Sequence, residues 1–144
     1  MADKLAALIR LHTWRLDEQR RTLAEALREV DRLRQQSHVL EGEIAAEQEV
    51  ASASPAEAGF AYARFARVAV ERRAACLDAI HSAERQVATH RETLRSRYRE
   101  LRTFELAEED RRRRAAAEAA RREGLALDEI ALLALSRGRL REAS

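Results

Sequence analysis

The side chains that could carry out catalysis or hold a metal ion are scattered along the sequence. The histidines are His12, His38, His81 and His90, and no two of them have the four-residue spacing of a helical zinc site. Cys76 is the single cysteine, so it cannot form a disulfide within the chain. The sequence also lacks a glycine-rich loop that could bind phosphate. These features predict a non-enzymatic protein that uses no metal and no other cofactor.

The charged side chains are numerous but nearly balanced, with 27 basic and 25 acidic residues and a net charge of +2. Glu108 and Glu109 are adjacent in sequence, so on a helix their carboxylates point in different directions. The four arginines at 111–114 could contact the phosphates of nucleic acid or of lipid. Acidic residues on both sides weaken their field. We therefore expect a solvent-exposed, salt-bridged helix and no nucleic-acid partner.

Aromatic residues are rare, which makes their positions informative. Tyr62 and Phe65 are three residues apart and so lie on one face of a helix. Two interpretations stay open: the pair closes a helix–helix seam, or it forms an exposed anchor for a partner protein. Trp14 also has two interpretations: it is an exposed anchor for a partner, or it packs against the side of helix 2.

The composition indicates the elements that must position these residues. Charged residues make up 36% of the 144 residues and aromatic residues 4%, and Ala, Leu, Arg and Glu dominate the rest. Such a composition is typical of long helices and coiled coils. No apolar run is long enough to cross a membrane, and the N-terminus does not resemble a signal peptide. We expect an all-α protein of the cytoplasm.

A single proline marks the expected turn. Pro55 suits the first turn of a helix, because it has no amide hydrogen to donate. Ser54 and Glu57 have the spacing of a capping box. These residues predict helix 1 over about 3–50, a turn over about 51–54 and helix 2 from about 55 to 123. A kink in one continuous helix is the alternative, but the coincidence of cap and proline favours an antiparallel hairpin.

Heptad spacing indicates which faces of the two helices meet. In helix 1 two sets recur every seven residues, and in helix 2 a similar series follows the turn. The helix 1 sets are Ile9, Leu16, Leu23, Val30, Ser37 and Ile44, and Leu5, His12, Gln19, Ala26, Leu33 and Leu40; the helix 2 series is Ala69, Cys76, Leu77, Ile80, Val87, Leu94 and Leu101. Folding about the turn predicts that Val30 faces Cys76 and that Ala26 faces Ile80.

Helix 2 is predicted to overhang helix 1. In that register the N-terminus of helix 1 lies beside about residue 104 of helix 2, and helix 1 has no residues to cover the rest of helix 2. Residues 105–123 keep helix propensity but lose the apolar stripe, and their charges can pair at spacings of three and four. A leucine-rich segment over 124–136 must then bind a partner, fold back or stay partly disordered, and 137–144 are expected to fray. The whole chain, 1–144, is expected to be one coiled-coil domain.

Four stretches of the sequence, in this order and spacing, resemble one protein family. They are EIAAEQ at 43–48, FAYARFARVAVERR at 60–73, RELRTFELAEEDRRRR at 99–114 and LALDEIAL at 125–132. With the turn at the matching distance, the chain resembles the FliJ family, coiled-coil proteins of the bacterial flagellar type III export apparatus. The resemblance covers nearly the whole chain. It implies a long antiparallel two-helix coiled coil, similar to the stalk of rotary ATPases.

The resemblance also implies a function and a set of partners. Such proteins are non-enzymatic: they enter the export ATPase ring, contact the cytoplasmic domain of the export gate, and bind export chaperones. The chain would then be a monomeric hairpin that associates with the inner membrane only through these partners. The implied gate and ring contacts are Tyr62, Phe65, Ala69 and Cys76 near the turn, and Asp128, Glu129 and Ile130 near the C-terminus. A stalk of a virulence secretion system and a self-associating structural coiled coil are the alternatives.

Overall fold

Two helices account for the fold in a computed structural model that describes residues 2–143, apart from the side chains of residues 57 and 58. Helix α1 spans Ala2–Ala53 and helix α2 spans Pro55–Ala143, with Ser54 between them. The helices pack against each other as a hairpin, and the described residues contain no strand. The predicted all-α hairpin is therefore confirmed.

The turn is shorter than expected. Helix α1 continues to Ala53, and Pro55 is the first residue of α2, where its missing amide hydrogen leaves no helical bond unmade. The Ser52 hydroxyl donates to the Gln48 carbonyl at 2.8 Å, so Ser52 belongs to the last turn of α1. The predicted capping box needs the Glu57 carboxylate, which lies outside the described residues.

The chain divides into two compact units. Unit 1 comprises Met1–His12 and Glu100–Ser144, of which residues 2–12 and 100–143 are described. Unit 2 comprises Thr13–Arg99.

Unit 2 is held together by a narrow apolar seam. One cluster contains Val30, Ala83 and Val87, with Leu23, Ala26 and Leu33 packed against it. A second cluster contains Leu40, Ile44 and Ala69, with Phe65 and Cys76 packed against it. Every residue of the two predicted heptad sets of α1 is buried or partly buried. The seven-residue period therefore identified the packed face of α1 correctly.

The seam of α2 differs from the prediction at one position. Leu77 is 48% exposed, whereas Ala83 is buried among the seam residues. Leu77 directly follows Cys76, and adjacent residues on a helix point about 100° apart, so both cannot face α1. Ala83 lies seven residues after Cys76 and repeats its position in the heptad.

The pairing of the helices also differs from the prediction. Val30 clusters with Ala83 and Val87, and Ala26 packs against that cluster, whereas Cys76 packs against the cluster of Leu40, Ile44 and Ala69. For Val30 the shift from Cys76 to Ala83 is seven residues, which is one heptad. A slip of one heptad returns the same face of α2 to α1, so the apolar pattern alone does not distinguish the two alignments.

Unit 1 contains a packed part and an exposed part. His12 is 8% exposed, and its ring lies against Phe104 with 4.7 Å between ring centroids. Its Nδ1 atom is 3.4 Å from the Glu100 carboxylate. From residue 112 to residue 143 every residue is exposed except Glu118, which is partly buried. The predicted overhang is present, but it starts about one heptad later than the expected residue 104.

Helix α2 continues through the predicted leucine-rich segment and the predicted frayed end, as far as Ala143. It therefore passes through Gly124 and Gly138, whereas helix 2 was predicted to reach only about residue 123. A glycine inside a helix costs only about 1 kcal/mol relative to alanine. The neighbouring Leu, Ala, Arg and Glu residues are strong helix formers, which explains why two isolated glycines do not end the helix.

Candidate partner-binding surfaces

The aromatic pair early in α2 is joined to the core of unit 2. Tyr62 and Phe65 are both partly buried, and their ring centroids are 6.4 Å apart with an interplanar angle of 32°. Phe65 packs against the cluster of Leu40, Ile44 and Ala69. One side of the pair therefore closes the seam, and what remains of each ring is available at the surface.

Phe60 is the more exposed aromatic residue of this region, with 90% of its surface accessible to solvent. Together with Ala61, Arg64, Phe65 and Val68 it lines a shallow groove, which we call the aromatic groove. The sequence analysis selected Tyr62 and Phe65 as candidate contacts and did not select Phe60. Its position off the heptad face of α2 was the signal that could have identified it.

Ala69 and Cys76 belong to the seam between the helices of unit 2. Ala69 is 6% exposed, and Cys76 is partly buried against the same cluster. Both predicted contact positions therefore face α1 at least in part. Of the four residues expected near the turn, Tyr62 and Phe65 are the two with aromatic surface to offer.

Ion pairs between the helices flank this region. The Arg73 guanidinium donates two hydrogen bonds to the Glu41 carboxylate, at 2.6 and 2.8 Å, and Arg72 lies 3.7 Å from Glu43. The bidentate bond to Glu41 raises the pKa of Arg73 above its usual value. Such exposed pairs add little stability because water and salt screen them, but their geometry favours one alignment of the helices.

In unit 1 the predicted charge pairing along α2 is confirmed. Glu108 accepts hydrogen bonds from Arg111 at 2.9 and 3.0 Å and from Arg112 at 2.9 Å. Glu118 pairs with Arg121 and Arg122 in the same way. The hydrogen bond from Arg111, supported by Arg112, lowers the pKa of Glu108 to about 2. The arginine run is therefore largely occupied with carboxylates on its own helix.

Residues 125–135, which we call the C-terminal apolar segment, are exposed along their whole length. Asp128, Glu129 and Ile130 lie within it, and Ile130 is 62% exposed. The other large apolar residues of the segment are between 55% and 66% exposed; they are Leu125, Leu127, Leu132, Leu133 and Leu135. The structure places the three predicted contacts of this region together on one open helix.

Neither a metal centre nor a membrane span is found in the described part of the chain. Residues 2–143, without the side chains of 57 and 58, contain no cluster of three or more His, Cys, Asp or Glu side chains that could hold a metal ion. None of the described helices combines the length and the apolar character needed to cross a bilayer. The surfaces described above can form apolar and ionic contacts with other proteins.

Comparison with known families decides which proteins this chain is related to. A family model described as Flagellar FliJ protein matches residues 1–140. The chain belongs to the FliJ family. Membership makes it a component of the flagellar export apparatus, as the resemblance of its sequence implied. No curated protein and no solved structure gives a significant match.

Proposed function

We propose that this FliJ-family protein is a non-enzymatic stalk, which links the export ATPase ring to the cytoplasmic domain of the export gate and handles export chaperones. The C-terminal apolar segment is the surface that binds the ring. The surface that binds the gate is the aromatic region of unit 2, by which we mean Tyr62, Phe65 and the aromatic groove. The protein works in the cytoplasm as a monomeric hairpin and meets the inner membrane only through these partners.

The C-terminal apolar segment carries the proposal. Nine of its eleven residues are apolar. At 100° per residue, its five leucines and Ile130 leave no gap wider than about 80° around the helix axis. A helix that is apolar on all sides is normally buried on all sides. A groove covers one face of a helix, whereas the lumen of a ring surrounds it, and this difference favours the ATPase ring as partner.

The aromatic region supports a second contact. Phe65 lines the aromatic groove together with Phe60 and Val68, which are open to solvent, and the Tyr62 ring lies against Phe65. Aromatic side chains are enriched among the residues that dominate binding energy at interfaces. Ala69 belongs to the cluster against which Phe65 and Cys76 pack, so we assign Ala69 and Cys76 the task of holding Phe65 in place.

Binding to the cognate export ATPase tests the ring contact. The Ile130→Asp, Leu133→Asp double variant puts two charges on the C-terminal apolar segment, and we expect it to lose binding and any effect on ATP turnover. Ala116→Asp, Ala119→Asp is the matched control: it has the same spacing on the same exposed helix, outside the apolar segment. Co-sedimentation and turnover measurements distinguish the variants. A native chain that neither binds the ATPase nor changes its assembly or turnover would refute the stalk role.

Binding to the cytoplasmic domain of the export gate tests the second contact. We expect Tyr62→Ala to weaken this binding and to reduce motility, while helicity stays unchanged. Trp14→Ala is the control, because Trp14 is an aromatic residue of unit 2 that is 60% exposed on the other helix. Equal loss of gate binding in both variants would show that the aromatic region has no special role.

A further inference from the structure

The aromatic groove, assigned above to the export gate, contains one charged residue. Its volume is about 610 Å³, within the usual range for ligand pockets of roughly 300–1,000 Å³. All of its lining residues belong to α2, and Arg64 is the charged one among them. Arg64 is exposed, so its guanidinium is open to a partner that covers the groove.

Arg64 stands between the two large apolar residues of the groove that are open to solvent. Phe60 is four residues before it and Val68 is four residues after it, so the three side chains form one row along α2. Phe60 is 90% exposed and Val68 is 47% exposed. At 1.5 Å per residue the row is about 12 Å long. A partner that covers both apolar residues must therefore also cover the guanidinium.

The guanidinium of Arg64 forms no ion pair or hydrogen bond with the residues that the structure describes, and the same holds for Arg67. Arg73 differs from them, because two hydrogen bonds hold it to Glu41 of α1. Glu71 follows Arg67 by one turn, but among the described contacts its carboxylate pairs with neither arginine. This part of α2 therefore offers a partner two guanidinium groups whose donors are bonded only to water.

Covering Arg64 with a purely apolar surface would be unfavourable. An exposed guanidinium donates its hydrogen bonds to water, and burying the charge without a compensating partner costs free energy. A carboxylate compensates best, because it can accept two parallel hydrogen bonds from the guanidinium. The row therefore selects a partner with an acidic group between two apolar groups, over a purely apolar partner and over one with a basic centre.

We propose that the aromatic groove binds an amphipathic helix of the export gate that carries a carboxylate between two apolar side chains. Each apolar side chain is one turn from the carboxylate, a spacing of four residues that matches the row of Phe60, Arg64 and Val68. The carboxylate pairs with Arg64, and the apolar side chains contact Phe60 and Val68, in the manner of helix-in-groove recognition. The inference rests on the gate contact proposed above and adds the chemistry of the partner segment to it.

Binding of the cytoplasmic gate domain to the full chain is the first test. Arg64→Glu should weaken this binding about tenfold or more, because it places two carboxylates face to face. Arg85→Glu is the matched control, since Arg85 is an exposed arginine of α2 in unit 2 whose side chain has no ion pair with the described residues and does not line the groove. Isothermal titration calorimetry measures both affinities, and circular dichroism checks that each variant keeps its helicity.

Two stapled helical peptides test the chemistry without the gate domain. One carries leucine, glutamate and leucine at successive spacings of four residues, and the other has lysine in place of the glutamate. By fluorescence anisotropy the native chain should bind the glutamate peptide at least about tenfold more tightly than the lysine peptide. Arg64→Glu should reverse this preference, and partial unfolding cannot produce a reversal. Phe60→Ala should weaken both peptides by similar factors, because it removes apolar contact and leaves the charge in place.

The outcomes separate this inference from the gate contact itself. If the native chain and Arg64→Glu bind the gate domain equally well, the gate contact stands and the inference is wrong. If the native chain does not bind the gate domain, the gate contact is refuted and the inference falls with it. Equal binding of the two peptides by the native chain, or binding of neither, would show that the groove does not recognise a carboxylate. Anionic vesicles that bind through Arg64 and Phe60 where the glutamate peptide does not would identify a lipid surface instead.

Discussion

Two stretches of α2, residues 69–94 and residues 112–143, share a secondary structure but differ in what stabilises it. In the first stretch Ala69, Ile80, Ala83 and Val87 are buried against α1. In the second, Glu118 alone is even partly buried, and carboxylate–arginine pairs within the helix take the place of a seam. The first stretch depends on tertiary packing, which usually provides most of a helix's stability, and the second on helix propensity and local pairs.

Leucine truncation should separate the two stretches most clearly. Leu40 is 5% exposed in the seam of unit 2, whereas Leu132 is 66% exposed in unit 1. Leu40→Ala should cost about 2–4 kcal/mol in the free energy of unfolding, through lost burial and a residual cavity. Leu132→Ala should change it by no more than about 0.5 kcal/mol. Urea titration followed by circular dichroism measures both, and similar costs would show that the C-terminal apolar segment is packed.

The two phenylalanines before residue 66 test the same contrast within one unit. Phe65→Ala removes a partly buried ring from the Leu40 cluster and should cost about 1–3 kcal/mol, less than the 3–5 typical of a fully buried phenylalanine. Phe60→Ala removes a ring that is 90% exposed and should leave the melting temperature nearly unchanged. If Phe65→Ala proves neutral for stability, Phe65 serves the surface rather than the seam.

Replacing a polar residue of the seam should change the free energy of unfolding by a smaller amount, and should raise it rather than lower it. The Gln19 amide donates to the His90 backbone carbonyl at 3.1 Å and lies 3.4 Å from the His90 Nδ1 atom. Polar seam residues specify alignment at a cost in stability, so Gln19→Leu should stabilise unit 2 by about 0.5–1 kcal/mol while loosening the register.

Cysteine cross-linking measures whether Gln19→Leu changes the register of the two helices. Val30→Cys can form a disulfide with the native Cys76 only if α2 is shifted by one heptad from its position in the structure. The triple variant Val30→Cys, Ala83→Cys, Cys76→Ala can form a disulfide in the alignment that the structure shows. We expect the first cross-link to appear when Gln19→Leu is added. Its absence would show that packing alone specifies the register.

Acid titration should have the smallest effect and should be confined to the local pairs. The Arg111 hydrogen bond holds the pKa of Glu108 at about 2, below the usual value of 4.5 for a glutamate. A lowered carboxyl pKa stabilises the folded helix above pH 4.5, and this contribution is lost as the pH falls toward 2. The protection factors of the amides at residues 105–115, which are corrected for the intrinsic exchange rate at each pH, should therefore fall over that range. Glu108→Gln should abolish this pH dependence, and unchanged dependence would assign it to another group.

Features that depend on near neighbours in sequence could be predicted. Every α1 position that the heptad spacing selected is buried or partly buried, and the spacing of Glu108 and Glu118 from their arginines identified the ion pairs. Features that depend on the packing of one helix against the other could not be predicted from the sequence. Phe60 and Phe65 look alike in sequence, and only the packing of Leu40 and Ile44 shows that Phe65 is the one held in the seam.

The sequence by itself determined that the chain forms two helices, where they separate at Pro55, and which faces are apolar, because these properties arise from side-chain periodicity and local backbone chemistry. Tertiary structure alone decided which heptad of α2 lies beside Val30, since a shift of seven residues presents an equivalent face. It also decided where a groove opens between Arg20 and Arg99, because that surface exists only once the two helices are aligned.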